Sequence, residues 1–135
     1  MEKLLIDTNI IVDLLTKRED FHVEAQELFS LADEDGVKLF ISAMTFATTH
    51  YLISKYLNEN EARKVMMRFK LLVKILPLED DILELALASD FRDFEDAIQY
   101  YTALKNNLDI IITRNKKDFK ASRIPVLTAR EYLIR

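Results

Sequence analysis

The stretch that decides the fold is Lys3-Leu4-Leu5-Ile6-Asp7-Thr8-Asn9-Ile10-Ile11-Val12-Asp13. Its first four residues form a short apolar run, which is typical of a buried parallel strand. From Ile10 to Leu15 the apolar residues recur at helical spacing instead. A strand that passes directly into a helix predicts an α/β fold, and Asp7 falls at the junction where the strand ends.

The same alternation continues along the chain. Further strands are predicted at residues 37–41, 73–76, 109–113 and 124–127, the last at a sheet edge, and helices at residues 24–35, 43–56, 59–72, 79–88, 94–106 and after 128. No linker, repeat or low-complexity segment interrupts this pattern. We therefore expect a single domain over residues 1–135, with three α/β/α layers and a central, mostly parallel sheet of four to five strands.

The composition excludes several kinds of site. The chain has no cysteine and only one glycine among its 135 residues. Without cysteine there is neither a disulfide framework nor a thiolate zinc site. A single glycine excludes the glycine-rich loops that cradle phosphates in P-loop and dinucleotide-binding proteins. The formal net charge of −4 argues against a broad basic surface for duplex DNA.

The balance of residue types indicates a globular domain, with 50% hydrophobic and 31% charged residues. No apolar run is long enough to cross a bilayer, and the first residues lack the pattern of a signal peptide. From these features we expect a cytoplasmic protein with no membrane association.

Several acidic residues are predicted to meet at one edge of the sheet. Asp7 follows the first strand, residues 113–115 follow a later strand, and residues 93–96 open the helix that leads into that later strand. Ligands of open α/β sheets bind outside the carboxyl ends of the strands. Crowded carboxylates repel one another unless a divalent cation neutralises them, and their hard oxygens favour Mg²⁺ or Mn²⁺. The alternative interpretation is that these acids only cap helices and suit the helix dipoles.

Four segments occur in the order and spacing of a known family. They are residues 5–13 (LIDTNIIVD), residues 42–45 (SAMT), residues 96–99 (DAIQ) with Ala103, and residues 112–115 (ITRN) through 118–119 (DF). Together they resemble the four motifs of PIN domains, and the resemblance covers essentially the whole chain.

The resemblance implies a metal-dependent endoribonuclease, most often the VapC-type toxin of a bacterial toxin–antitoxin pair. It also implies Mg²⁺ or Mn²⁺ as cofactor, RNA as substrate, a small antitoxin as partner, and a homodimer. By position in the motifs, Asp7 and Asp96 would be the metal ligands. The other catalytic positions implied are Asp93, Asn115 and Asp118, and the substrate-orienting positions are Thr8, Asn9, Thr113 and Arg114.

One position departs from the family's pattern. The second motif usually places a Glu six residues after its Ser42 equivalent, and here that position is Thr48. Losing one anionic ligand should weaken the binding of a divalent cation. A second hypothesis is therefore a catalytically degenerate PIN domain that acts as an RNA-binding or protein-interaction module. His50 could compensate if its helix turned it toward Asp7.

A third hypothesis is a phosphotransfer protein that uses Asp7 as acceptor or nucleophile. Haloacid-dehalogenase-type sites need a second Asp two residues later, where this chain has Asn9. Receiver domains need an acidic pair before the acceptor, and only Glu2 precedes the first strand. Both departures argue against this hypothesis.

One cluster of basic residues stands out, and it comprises Arg114, Lys116, Lys117, Lys120 and Arg123. Such a run is usually a solvated loop. Beside an acidic metal site, however, it could hold the phosphates of RNA.

Overall fold

Five parallel strands form the sheet of the computed structural model, which describes all 135 residues, Met1–Arg135. The strands are β1 (Glu2–Ile6), β2 (Val37–Ser42), β3 (Lys74–Leu76), β4 (Ile110–Ile112) and β5 (Val126–Leu127). Their order is β3-β2-β1-β4-β5, which makes β1 central and β5 an edge strand. The predicted parallel sheet and the edge position of its last strand are confirmed.

Seven α-helices join and follow these strands. They are α1 (Thr8–Leu15), α2 (His22–Asp33), α3 (Ala43–Ile53), α4 (Glu59–Lys70), α5 (Asp80–Leu87), α6 (Phe94–Lys105) and α7 (Ala129–Leu133). One 3₁₀ helix, Lys116–Phe119, lies within the polar stretch after β4. None of the helices combines the length and the apolar character that crossing a bilayer would require.

Both faces of the sheet are covered by helices. Successive side chains of a strand point to opposite faces, so Leu4 and Ile6 share one face and Leu5 takes the other. Leu4 and Ile6 belong to a core that includes residues of α1, α2, α3, α4 and α7. Leu5 belongs to a second core with residues of α6. All three side chains are 0% exposed, and the expected three-layer arrangement is confirmed.

Several helices end earlier than predicted, and the ends of α2 and α3 show the physical reason. α2 ends at Asp33 because Asp35 adopts a left-handed φ of 59° and the Gly36 amide donates back to the Leu31 carbonyl oxygen at 2.9 Å. α3 ends three residues earlier than predicted. There the Ser54 hydroxyl donates to a backbone carbonyl one turn back at 2.7 Å, which competes with continued helix.

The carboxyl ends of three neighbouring strands present polar residues to one edge of the sheet. Asp7 follows β1, Ser42 is the last residue of β2, and Thr113 follows β4. The Asp7 amide donates to the Ile112 carbonyl oxygen at 2.9 Å, so the backbone of this acid is held by the sheet itself. Because Ile6 pairs with Ile112 in the parallel register, Thr113 lies beside Asp7.

Candidate functional site

The Asp7 carboxylate lies at the base of the site, and four hydrogen bonds hold it. Oδ2 accepts from the Thr113 hydroxyl at 2.7 Å and from Asn9 Nδ2 at 3.5 Å. Oδ1 accepts from the Thr8 amide at 2.8 Å and from Gln99 Nε2 at 3.1 Å. The residue is only 7% exposed. Its orientation is therefore fixed from β1, α1, α6 and the end of β4 at once.

Burial raises the pKa of Asp7, since a charged carboxylate is costly away from water. The hydrogen bonds from Thr113, Gln99 and Thr8 oppose that rise because they favour the charged form, and the nearby charge of Asp118 adds to it. The burial effect is the largest of these. A cation placed against Asp7 would relieve the same cost.

A chain of hydrogen bonds extends from Asp7 through the Gln99 side-chain amide to three hydroxyl groups. Gln99 Nε2 also donates to Thr45 Oγ1 at 2.7 Å, and Ser42 Oγ donates to the same oxygen at 3.2 Å. With both its lone pairs occupied, Thr45 must direct its own hydrogen to Thr8 Oγ1, which lies 2.9 Å away. The Thr8 hydroxyl hydrogen is thus left free, and Thr8 lines the open cleft. The network therefore leaves the Thr8 hydroxyl as an uncommitted donor beside the cleft.

Gln99 and Thr45 belong to quoted motifs, but sequence reasoning did not select them as site residues. Gln99 is 1% exposed, and its Oε1 has no hydrogen-bond partner. The signal that could have found it is spacing: Gln99 follows Asp96 by three residues on α6, which places both on one helix face.

The topology brings the predicted acids together around a cleft of about 530 Å³. Five carboxylates line it, from Asp7, Asp93, Glu95, Asp96 and Asp118. Asn115 and Thr48 line the same cleft. The position where the family's second acid is missing therefore belongs to the site.

The crowding of carboxylates is clearest in the pKa of Asp96. Partial burial, followed by the charges of Asp7, Asp93, Asp118 and Glu95, raises its pKa to about 7. Asp93 also has a structural role, because its Oδ1 accepts from the Asp96 amide at 3.1 Å and caps α6. Asp93 therefore both caps α6 and lines the acidic cleft.

The donor set fits a hard divalent cation. No three acids or histidines lie close enough together to form a ready-made metal cage. Mg²⁺, however, binds through one or two carboxylates and keeps several waters, so a full protein cage is not required. The pKa of Asp96 is raised first by burial and then by repulsion from the neighbouring carboxylates, and a cation would offset both effects. Asp7 and Asp96 are the residues whose surroundings suit this role.

Asn9 and Arg114 brace the wall of the cleft. Asn9 Nδ2 donates to Thr113 Oγ1 at 3.3 Å, and its Oδ1 accepts from the Arg114 amide at 3.3 Å. The Arg114 guanidinium is engaged elsewhere: Nε donates to Asp13 Oδ2 at 2.7 Å, and the group lies 4.3 Å from the Phe21 ring centroid. Asp13 is 1% exposed and was not selected from the sequence.

Most of the basic residues after β4 do not line the acidic cleft. Lys116 Nζ pairs with Glu131 at 2.9 Å, and Arg114 is bound to Asp13. Lys117, Lys120 and Arg123 are not among the residues that line the cleft. The cations that line it, besides Arg114, are Arg18 and Lys55, which sequence reasoning did not connect with the site.

The idea that His50 compensates for Thr48 is wrong. His50 Nε2 lies 3.0 Å from Glu59 Oε2, in a contact between α3 and the start of α4. Thr48 and Leu52 line the cleft, whereas His50, between them in sequence, points to another side of the helix.

Comparison with known proteins agrees with this geometry. A family model described as a PIN domain matches residues 3–117. The chain is 27% identical over 136 residues to Ribonuclease VapC1 of Aquifex aeolicus (strain VF5), covering 97% of this chain and 93% of that protein.

Two solved structures extend the comparison. A toxin–antitoxin complex from Klebsiella pneumoniae contains a chain 31% identical to this one, with 93% of this chain and 97% of that chain covered and a TM-score of 0.68. DNA-bound VapBC from Salmonella typhimurium is 17% identical, covers 96% of this chain and 99% of its own, and has a TM-score of 0.72. At that lower identity, the second structure supports the fold alone.

Proposed function

The chain belongs to the PIN domain family, and on that premise we propose that it is a metal-dependent endoribonuclease, the toxin component of a toxin–antitoxin pair. The observation that carries the proposal is the cleft in which Asp7 and Asp96 meet three further carboxylates at the carboxyl edge of the sheet. The relative named as a ribonuclease and the 31% identical chain from a toxin–antitoxin complex support it.

In this proposal Asp7 and Asp96 hold Mg²⁺ or Mn²⁺, while Asp93, Asn115 and Asp118 complete the surrounding shell. When bound, such an ion polarises the phosphodiester and makes a coordinated water more acidic. Thr113 and Asn9 keep the Asp7 carboxylate in one orientation through their hydrogen bonds. The free hydroxyl hydrogen of Thr8 donates to a phosphate oxygen of the RNA, and the backbone of Arg114 holds Asn9 in place.

Its partner in the cell would be a small antitoxin protein. The 31% identical chain from Klebsiella pneumoniae comes from a structure described as a toxin–antitoxin complex. We propose that this chain acts in the cytoplasm, where its RNA substrate is found, and that it forms a homodimer. Co-expression with the product of a neighbouring short reading frame, followed by copurification, tests the antitoxin assignment.

Cleavage of RNA tests the activity. The wild-type chain should cleave RNA with Mn²⁺ and stop when EDTA is added, and Asp7→Asn and Asp96→Asn should each abolish cleavage. Asp33→Asn is the matched control, since Asp33 is an exposed acid at the end of α2, outside the cleft. Cleavage that persists in EDTA or in both site variants would contradict the metal mechanism.

Thr48 supports a second candidate, a degenerate PIN domain that binds RNA or protein without catalysis. Thr48 lines the cleft but offers no carboxylate, and no three acids form a ready-made cage. RNA binding without any metal-dependent cleavage would favour this candidate. Restoring the acid with Thr48→Glu should then create cleavage activity, whereas an already active enzyme would gain little.

A further inference from the structure

The acidic cleft has a second, basic end. Arg18 lies in the turn that follows α1, and Lys55 lies in the turn that follows α3. Both line the same cleft as Asp7 and Asp96. Since α1 begins directly after Asp7 and α3 directly after Ser42, both helices run from the acidic end of the cleft toward the basic end.

These two cations form no direct ion pair, and Arg18 acts on a carboxylate only at longer range, through its charge near Asp13. Neither forms a salt bridge with a carboxylate. Lys55 Nζ lies 5.0 Å from the centroid of the Tyr51 ring, and the Arg18 guanidinium lies 5.6 Å from that of Phe21. Contact with an aromatic face steadies a long basic side chain while its N–H groups stay available. Both residues are exposed.

The third cation of the cleft is used differently. Arg114 is paired with Asp13 at 2.7 Å, so its charge is already compensated. The other basic residues after β4 lie outside the cleft. Among them, Lys116 also forms an ion pair with Glu131. Arg18 and Lys55 are therefore the positive charges of this cleft that no salt bridge engages.

The separation of the two ends sets what the cations can contact. α1 has eight residues, and at 1.5 Å per residue it spans about 12 Å. With the backbone at the two ends that far apart, Arg18 and Lys55 can hold a different phosphate from the one at Asp7 and Asp96, on a neighbouring nucleotide of the same strand.

We infer that Arg18 and Lys55 form a phosphate clamp, which binds the backbone of single-stranded RNA to one side of the cleavage point. The inference rests on the proposed ribonuclease function. Five carboxylates repel an approaching RNA strand, and two cations without salt bridges at the other end of the same cleft offset that repulsion and direct the strand along α1 and α3. With only two cations, the clamp suits a flexible single strand better than a rigid duplex.

The salt dependence of RNA binding tests the clamp. The parent is the full chain carrying Asp96→Asn with Mg²⁺ present, so that the probe stays intact, and the probe is a short fluorescein-labelled oligouridylate. For single strands each phosphate contact contributes about −0.7 to the slope of log K against log salt concentration. Adding Arg18→Ala and Lys55→Ala should therefore make the slope shallower by about 1.4, the sum for two contacts.

A double variant of Lys64→Ala and Lys70→Ala, both on α4, is the matched control. It removes the same charge from exposed residues outside the cleft and should leave the slope unchanged. Equal melting temperatures of the two double variants establish that both are folded.

Three results would overturn the clamp: an unchanged slope in the Arg18/Lys55 variant, an equal change in the control, or no salt-dependent binding by the parent. Each result is separable from failure of the proposed function, which is read from Mn²⁺-dependent RNA cleavage by the wild-type chain.

Discussion

The Thr113 hydroxyl donates a 2.7 Å hydrogen bond to Asp7 Oδ2 across 106 positions of sequence. Thr113 is 0% exposed and Asp7 only 7%, so water has little access to this bond. It exists because β4 lies beside β1 in parallel register and each residue directly follows its strand. The contact therefore links the central feature of the fold to the central residue of the site.

Replacing Thr113 by valine keeps the shape and removes the donor. We expect Mn²⁺ affinity and RNA cleavage to fall by about 10–100-fold, as is usual when a group that orients a metal ligand is lost. Thr102→Val is the matched control, because Thr102 is equally buried and its hydroxyl has no partner. Equal losses in the two variants would mean that Thr113 acts only through packing.

Gln99→Met tests the second buried donor to Asp7. Methionine fills a similar volume but donates to neither Asp7 nor Thr45, which Gln99 contacts at 3.1 and 2.7 Å. The Thr45 hydroxyl then loses the partner that directs its hydrogen toward Thr8, and cleavage should fall by about 10-fold or more. Calorimetric titration with Mn²⁺ shows whether cleavage is lost through weaker metal binding at Asp7 or through the changed orientation of the Thr45 and Thr8 hydroxyls. Unchanged cleavage would remove Gln99 from the site.

The metal-free protein should become more stable as the pH is lowered from 8 to 6. The folded pKa of Asp96 is raised to about 7, so over this range the native state binds more protons than the unfolded state. Stability therefore falls as pH rises toward 7 and levels above it. Melting temperatures in EDTA should show this trend in wild type and lose most of it in Asp96→Asn. A rise in stability with pH would contradict the assignment.

Breaking the Asp13–Arg114 pair should destabilise the fold. Asp13 is 1% exposed, and burial raises its pKa, with the Arg114 guanidinium opposing that rise. Arg114→Ala leaves the carboxylate without its partner, which we expect to cost about 3 kcal/mol in urea denaturation. Asp13→Ala together with Arg114→Ala should cost less than the single change. Simple additivity would show that the pair is not coupled.

The fold and the first acids could be predicted because their signals are local. An apolar run followed by Asp7 and a helix pattern is contained within about ten residues, and Asp96 stands at a helix start next to Asp93. The order of the motifs along the chain then assigns Asp7 and Asp96 to the same site. No packing information is needed for these steps.

The rest of the site depends on how helices pack. Arg18 and Lys55 share a cleft only because α1 and α3 lie side by side, and no spacing rule links them. The basic run after β4 is obvious in composition, yet Arg114 and Lys116 are drawn to Asp13 and Glu131 by contacts between distant segments. Sequence shows that charges are present, but their partners are set by the tertiary structure.

Calorimetric titration of Mn²⁺ into the EDTA-stripped protein tests the central claim most directly. The account predicts saturable binding in the wild-type chain and in Asp33→Asn, and loss of binding in Asp7→Asn and in Asp96→Asn. Absence of binding by the wild-type chain at millimolar Mn²⁺, or equal binding by all four proteins, would contradict the assignment of Asp7 and Asp96 as metal ligands.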